Sequence, residues 1–174
     1  EPATIQKKLE GEELSEAQDE GWSPDELDLL DQTRGGSSRA EADALKLLLV
    51  FVNHADDTAN QQRLLCPAQD KTCEHPLMYV TDLGGTFGGQ GGFTSYRNWA
   101  KRAAIWKDPA RCVAKFEGTD ERFKDPKISE AGRALLADLL RRLSDKQLAD
   151  LFRGARFDVL AAHEPPLPGT NGKS

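Results

Sequence analysis

No stretch of this sequence is apolar for long enough to cross a bilayer. The longest apolar run, Ala44 to Val52, is interrupted by Lys46 and falls well short of the ~20 residues that a spanning helix needs, so no membrane span is expected. Positive charge is also in short supply, with 23 Lys and Arg against 29 Asp and Glu and a net charge of -6. Nucleic-acid binding rests on clustered Lys and Arg that displace counterions, so nucleic acid is not an expected partner. Cysteine is scarce, at 3. Cys66 and Cys73 flank the polar loop Pro67 to Thr72 and could close it as a disulfide, while Cys112 lies beyond. In an exported protein that odd count leaves one thiol over, whereas in the cytosol all would be reduced; the two readings stand level. A zinc set of Cys66, Cys73, His75 and Cys112 ranks well behind, because no pair has the short CxxC spacing. The first residue is Glu rather than Met, so the chain reads as mature, processed or excerpted, with any targeting peptide outside it.

What is present is enough for one domain, or a large piece of one: 174 residues bury a real core. Glu1 to Glu20 is charged, with Ile5, Leu9 and Leu14 spaced as a weak amphipathic stripe. Ser23-Pro24-Asp25-Glu26 is a capping box with proline at the first helical position, which predicts a short helix through Leu30. Gly35-Gly36-Ser37-Ser38 ends a loop with candidate caps for a helix over about Arg39 to Asn53. That helix is apolar on most of its circumference in its second half, which predicts burial. Arg63 to Cys66 and Leu77 to Thr81 read as strands. Ser95 to Trp106 suggests a broken helix, and Lys107 to Pro126 reads as irregular. Ser129 and the box Ser144-Asp145-Lys146-Gln147 open two helices expected to be scaffold. From His163 onward the Pro and Gly content predicts a disordered tail.

Two polar clusters each follow an apolar run. The first, Asn53-His54-Ala55-Asp56-Asp57-Thr58-Ala59-Asn60-Gln61-Gln62, follows the long helix. The second, Asp82-Leu83-Gly84-Gly85-Thr86-Phe87-Gly88-Gly89, follows the Leu77 strand. Phosphoryl transfer needs an acid that orients or deprotonates the acceptor hydroxyl, and hard oxygen ligands that hold Mg²⁺ or Mn²⁺ against a triphosphate. Taken singly, the groups have plainer roles: Asp56 and Asp57 as loop caps, His54 as a helix C-cap, Asp82 as a strand-to-turn residue. The combination of a buried helix into His-x-Asp with a buried strand into Asp-x-Gly points to a site.

The form Asp82 to Gly88 resembles the metal-binding loop of atypical kinases, such as the secretory-pathway casein kinase and the spore-coat kinases. Nearly the whole chain resembles a group of uncharacterised bacterial proteins with the same pairing of motifs. The kinase resemblance covers about Asn53 to Gly89. It implies Asp56 as catalytic acid or base and Asp82 as principal metal ligand. Gln61 stands where kinases have Asn, and Asn60 sits one position short; both are candidate metal ligands, as is Asp57. His54, Gly84 and Gly85 would contribute to nucleotide binding. The implied cofactors are Mg²⁺ or Mn²⁺ and ATP, and the implied partners are the nucleotide and a hydroxyl-bearing acceptor.

The expected architecture is therefore α+β, mostly helical: a kinase-like C-terminal lobe with a short β element carrying the catalytic and metal loops, followed by C-terminal helices. Residues 1–37 form a polar N-terminal segment, read as the remnant of a missing N-lobe; 38–160 form the lobe, and 161–174 the tail. No glycine-rich nucleotide lid and no lysine-bearing strand precede Asp56. A catalytically inactive, pseudokinase-like interaction module is accordingly the alternative, and a metal-dependent hydrolase using His54, Asp56, Asp57 and Asp82 a third. Cysteine usage and the resemblance lean toward a periplasmic or secreted location over the cytoplasm.

Overall fold

Ser38 opens the helix around which the described chain packs. The computed structural model describes residues 10–14, 21–54, 58–59, 62–80, 86–88, 99, 104–116 and 123–154. Within them helices and two small antiparallel sheets make an α+β fold. No helix among the described residues is long and apolar enough to cross a membrane.

Helix α1 spans Arg39–Val52. Its start is a reciprocal box: the Ser38 backbone N–H donates to Glu41 Oε2 at 2.8 Å and the Glu41 N–H to Ser38 Oγ at 3.3 Å, which satisfies two of the donors a helix start leaves open. Helix α2, Glu130–Arg141, lies against α1. Leu47 and Val50 of α1 meet Leu136 of α2, with Ile128, Ala114, Phe116 and Phe123 completing a dry cluster. Burying each large apolar side chain contributes about 1.5–3 kcal/mol over leaving it in water. The helices come close because α2 presents Gly132; a Cβ there would stand 2.5 Å from Asp43 Cβ.

The prediction that α1 is buried because it is apolar all round holds for one face and misses what that face contains. Phe51 is 36% exposed, whereas Asp43 and Lys46 are 0% and 1% exposed. Asp43 Oδ2 accepts from the Ser129 backbone N–H at 2.9 Å and from Arg39 Nε at 3.0 Å. Lys46 Nζ donates to Asp28 Oδ1 at 2.6 Å and lies 3.6 Å from Asp43 Oδ1. Burial opposes ionisation of Asp43, but the hydrogen bonds from Ser129 and the Arg39 guanidinium outweigh it and hold the carboxyl below its ordinary value. Asp28 is shifted the same way, burial again being overcome by Lys46 and Arg39. The network ties residues 21–37 and the start of α2 to one face of α1.

Strands β1 (Gly11–Glu13), β2 (Gln62–Pro67) and β3 (Leu77–Val80) form one antiparallel sheet with β2 central. The β1 pairing, Glu12↔Cys66 and Glu13↔Leu65, makes Gly11 to Glu13 a strand within the charged N-terminal stretch, where the sequence showed only a weak amphipathic stripe. Cys66 and Cys73 stand at disulfide distance, with Cα atoms 5.2 Å apart, and Cys112 is free. That pair closes the loop between β2 and β3 and removes two of the four residues of the zinc set.

The described part of the 107–126 stretch, residues 107–116 and 123–126, is more regular than expected. Strands β4 (Trp106–Asp108) and β5 (Val113–Ala114) pair antiparallel across an irregularity, with a 3-10 turn, Pro109–Arg111, between them. Helix α3, Asp145–Gly154, begins at the predicted Ser144 box. None of its residues is buried, and Leu151 is 60% exposed. Of the two helices expected to be scaffold, α2 is one and α3 rides on the surface. The tail from His163 and residues 95–98 and 100–103 of the expected broken helix lie outside the described residues; Trp106, expected to end that helix, instead begins β4.

Candidate active site

The chain leaves α1 through a Schellman turn. Asn53 takes the left-handed conformation, φ 49° and ψ 59°, which Asn tolerates better than other non-glycine residues. The Asn53 N–H donates to Val50 O at 3.1 Å and the His54 N–H to Leu49 O at 2.9 Å. The turn drives both side chains inward, and each is 0% exposed. The sequence reading of His54 as a partly buried cap is thus divided: Asn53 is the left-handed residue of the cap and His54 is fully interior.

Gln62, the first residue of β2, is also 0% exposed. Its Nε2 lies 3.5 Å from His54 Nε2, a long contact at the limit of a hydrogen bond. Asn53 Oδ1 and Nδ2 and Gln62 Oε1 have no hydrogen-bond partner among the described residues. A buried polar atom without a partner costs about 1–3 kcal/mol, so three such atoms at one spot call for a reason beyond packing.

The spot is where the two motifs meet the sheet. Gln62 pairs with Val80. Gln62 follows the first polar cluster directly, and Val80 is followed at once by Thr81 and Asp82. Both clusters therefore join the same end of the β2–β3 pair, with His54 against Gln62.

The described part of the second cluster is held at the same end of α1. Phe87 has φ 56° and ψ 27°, a strained conformation for a bulky residue. Its ring meets Trp99 edge-on with centroids 4.8 Å apart, and Phe152 of α3 at 5.6 Å. Trp99 in turn packs on Phe51 at 6.4 Å and donates from Nε1 to Phe51 O at 2.8 Å. Aromatic contacts thus link the flank of the glycine-rich loop to the last turn of α1.

Residues 21–22 brace the first cluster. A Cβ on Gly21 would overlap the carbonyl oxygens of Ala59 and Gln62, so glycine is required for this backbone to lie against that one. The next residue, Trp22, donates from Nε1 to Arg63 O at 3.0 Å.

Of the sequence-predicted site residues, His54 is described and buried at this junction. Asp56, Asp57, Asn60, Gln61, Asp82, Gly84 and Gly85 lie outside the described residues. Among the described residues no group of three His, Cys, Asp or Glu could hold a metal ion; the acceptors that border the clusters are the amide oxygens of Asn53 and Gln62, hard donors of the type Mg²⁺ takes. Asn53, Gln62 and Phe87 were not singled out from sequence. For Gln62 a signal existed, because the amide run Asn60-Gln61-Gln62 continues into the strand. No protein-family model, curated protein or solved structure matches the chain.

Proposed function

We propose that the chain is a kinase-like lobe that transfers the γ-phosphoryl group of ATP to a hydroxyl-bearing acceptor with Mg²⁺ or Mn²⁺. The observation that carries this reading is the convergence of the described flanks of both motifs: His54 against Gln62, and Gln62 paired with Val80. The strained Phe87, tied through Trp99 to the end of α1, adds support, because strain of this kind gathers at functional loops. Asp56 accepts the proton of the acceptor hydroxyl as its oxygen bonds to the γ-phosphorus and the bond to ADP breaks. Asp82 is the principal metal ligand, with Asn60, Gln61 and Asp57 as further oxygen donors, and Gly84 and Gly85 let backbone approach the phosphates. The divalent ion, when bound, neutralises triphosphate charge. The disulfide-distance Cys66–Cys73 pair supports an exported location, where such a bond persists.

The test is transfer of labelled γ-phosphate from ATP to protein or to hydroxyl acceptors in the presence of Mg²⁺ or Mn²⁺. Wild type transfers label, and Asp56→Asn reduces transfer by two orders of magnitude or more, about the scale of losing a general base. Equal transfer by both proteins overturns the assignment of Asp56. A non-catalytic, pseudokinase-like module is the second reading, favoured by Gln61 at the place of the kinase Asn; nucleotide binding with no transfer by wild type selects it.

A further inference from the structure

A groove of about 740 Å³ opens between residues 21–37, the first half of α1 and the β2–β3 sheet. Among the described residues none from the two polar clusters lines it. Leu64 and Met78, partners across the two strands, present a sheet face to the groove, and Ala42 and Leu45 of α1 with Trp22 and Leu27 complete an apolar floor. Leu29 and Leu77, 78% and 47% exposed, stand at its edge. Apolar groups left in water beside a concavity are a mark of binding surfaces, and the volume falls within the range of about 300–1,000 Å³ typical of small-molecule sites.

The rim is anionic and held in place. Glu26, Asp31, Glu41 and Glu74 stand there against the single guanidinium of Arg34. Three of these carboxylates are fixed by hydrogen bonds at the starts of helical turns: Glu26 Oε2 accepts from the Ser23 N–H at 2.6 Å, Asp31 Oδ1 from the Thr33 N–H at 2.9 Å, and Glu41 Oε2 from the Ser38 N–H at 2.8 Å. The second oxygen of each takes no part in these bonds. Glu74 sits in the β2–β3 connection, next to the Cys66–Cys73 closure and to His75, whose backbone N–H donates to Asp70 Oδ2 at 2.8 Å. Carboxylates that are already ordered lose little freedom when a cation arrives. The hydrogen bonds from Ser38 also hold the Glu41 carboxyl below its ordinary value, which keeps that charge in place at neutral pH.

The geometry points to a binding site for a small amphiphilic organic cation, an aromatic or aliphatic body that carries a protonated amine. The body lies on the floor over Trp22, Leu45, Leu64 and Met78, and the ammonium group faces the rim carboxylates. Burial of the body supplies affinity, and the rim selects the sign of the charge. An anionic ligand would meet four carboxylates, a neutral one would leave them without a counter-charge, and a bare metal ion would leave the apolar floor in water. The inference is independent of phosphoryl transfer.

The test is a fluorescence titration, without nucleotide or divalent metal, using three dansyl probes of matched body: dansylcadaverine, which carries a free amine, its N-acetyl derivative, which is neutral, and dansyl-6-aminohexanoate, which is anionic. Dansylcadaverine binds saturably, one per chain, with a blue shift of its emission as the ring leaves water. The acetylated probe binds at least tenfold more weakly and the anionic probe does not bind. Two variants at exposed positions of the groove separate rim from floor: Glu74→Lys weakens dansylcadaverine about tenfold, the scale of one rim charge reversed near a bound cation, and Leu29→Gln weakens all binding severalfold without changing the preference for the amine. Asp138→Lys, on α2 and outside the groove, makes the same charge change as Glu74→Lys without effect. Absence of saturable binding, several probes per chain, equal binding by the neutral or anionic probe, or an equal loss in Asp138→Lys overturns the proposal.

Discussion

In the first half of α1, Asp43 and Lys46 are buried and engaged by Arg39, Asp28 and Ser129. At its far end Asn53, with Gln62 of β2, is buried as completely, yet amide atoms of both find no partner among the described residues. Burial is equal, but satisfaction differs: of the charged pair Asp43 Oδ1 lacks a hydrogen bond yet has the Lys46 ammonium 3.6 Å away, whereas Asn53 Oδ1 and Nδ2 and Gln62 Oε1 have no partner among the described residues. A buried charge pair held by several neighbours fixes one arrangement of helices, and removing one partner strands the other. Buried amides left open weaken the fold where they sit, and such costs persist where something other than stability is served. The first half of α1 therefore reads as the frame, and the far end as the place where the proposed chemistry would sit.

The largest break in this comparison is Asp43→Ala. It leaves Lys46 buried beside one carboxylate and the Ser129 N–H without its acceptor, and urea unfolding should register a loss of about 3–5 kcal/mol. The same network has a pH signature. Asp43 and Asp28 both sit below the ordinary 3.8 in the folded state, so they contribute stability above that value and lose it as pH falls through their depressed values. The urea midpoint of wild type should drop on acidification below pH 3.8, and that of Asp43→Asn should drop less; parallel profiles would show that Asp43 is not part of the frame.

A smaller effect is expected where residues 21–22 brace the motif. Gly21→Ala forces the backbone away from Ala59 and Gln62, at a cost of about 1–3 kcal/mol for overpacking, with phosphoryl transfer falling further than stability accounts for. An unchanged melting temperature would mean that the close approach at Gly21 carries nothing.

The smallest stability effect sharpens the comparison most. Gln62→Leu keeps the volume and removes an amide whose Oε1 has no partner among the described residues and whose Nε2 makes only the long contact to His54, so stability should stay within about 1 kcal/mol of wild type or rise, while transfer declines. A loss as large as that of Asp43→Ala would place Gln62 in the frame and erase the distinction.

Much of the frame was legible because its signals are local. The Ser38 box, the Ser129 cap, the Ser144 box and the apolar runs of α1, β2 and β3 lie within a few residues of what they organise. β1 was not, since Gly11–Glu13 is polar and its partner is over fifty residues away, and strands as short as β4 and β5 leave no period to read. Lys46 appeared as an interruption of an apolar run, because nothing in the sequence says that Asp43 and Asp28 meet it. At the site, His54 was legible from its motif; Asn53 and Gln62 matter through a turn and a strand register that bring together residues of no unusual type.

The most direct measurement is a thermal-shift titration with ATP, with and without Mg²⁺ or Mn²⁺, on wild type and Asp82→Ala. The account predicts that nucleotide raises the melting temperature of wild type in a metal-dependent way, by mass action on the folded state, and that Asp82→Ala abolishes the shift. A wild-type protein that ATP and metal leave unmoved, or an Asp82→Ala variant that shifts equally, would contradict it.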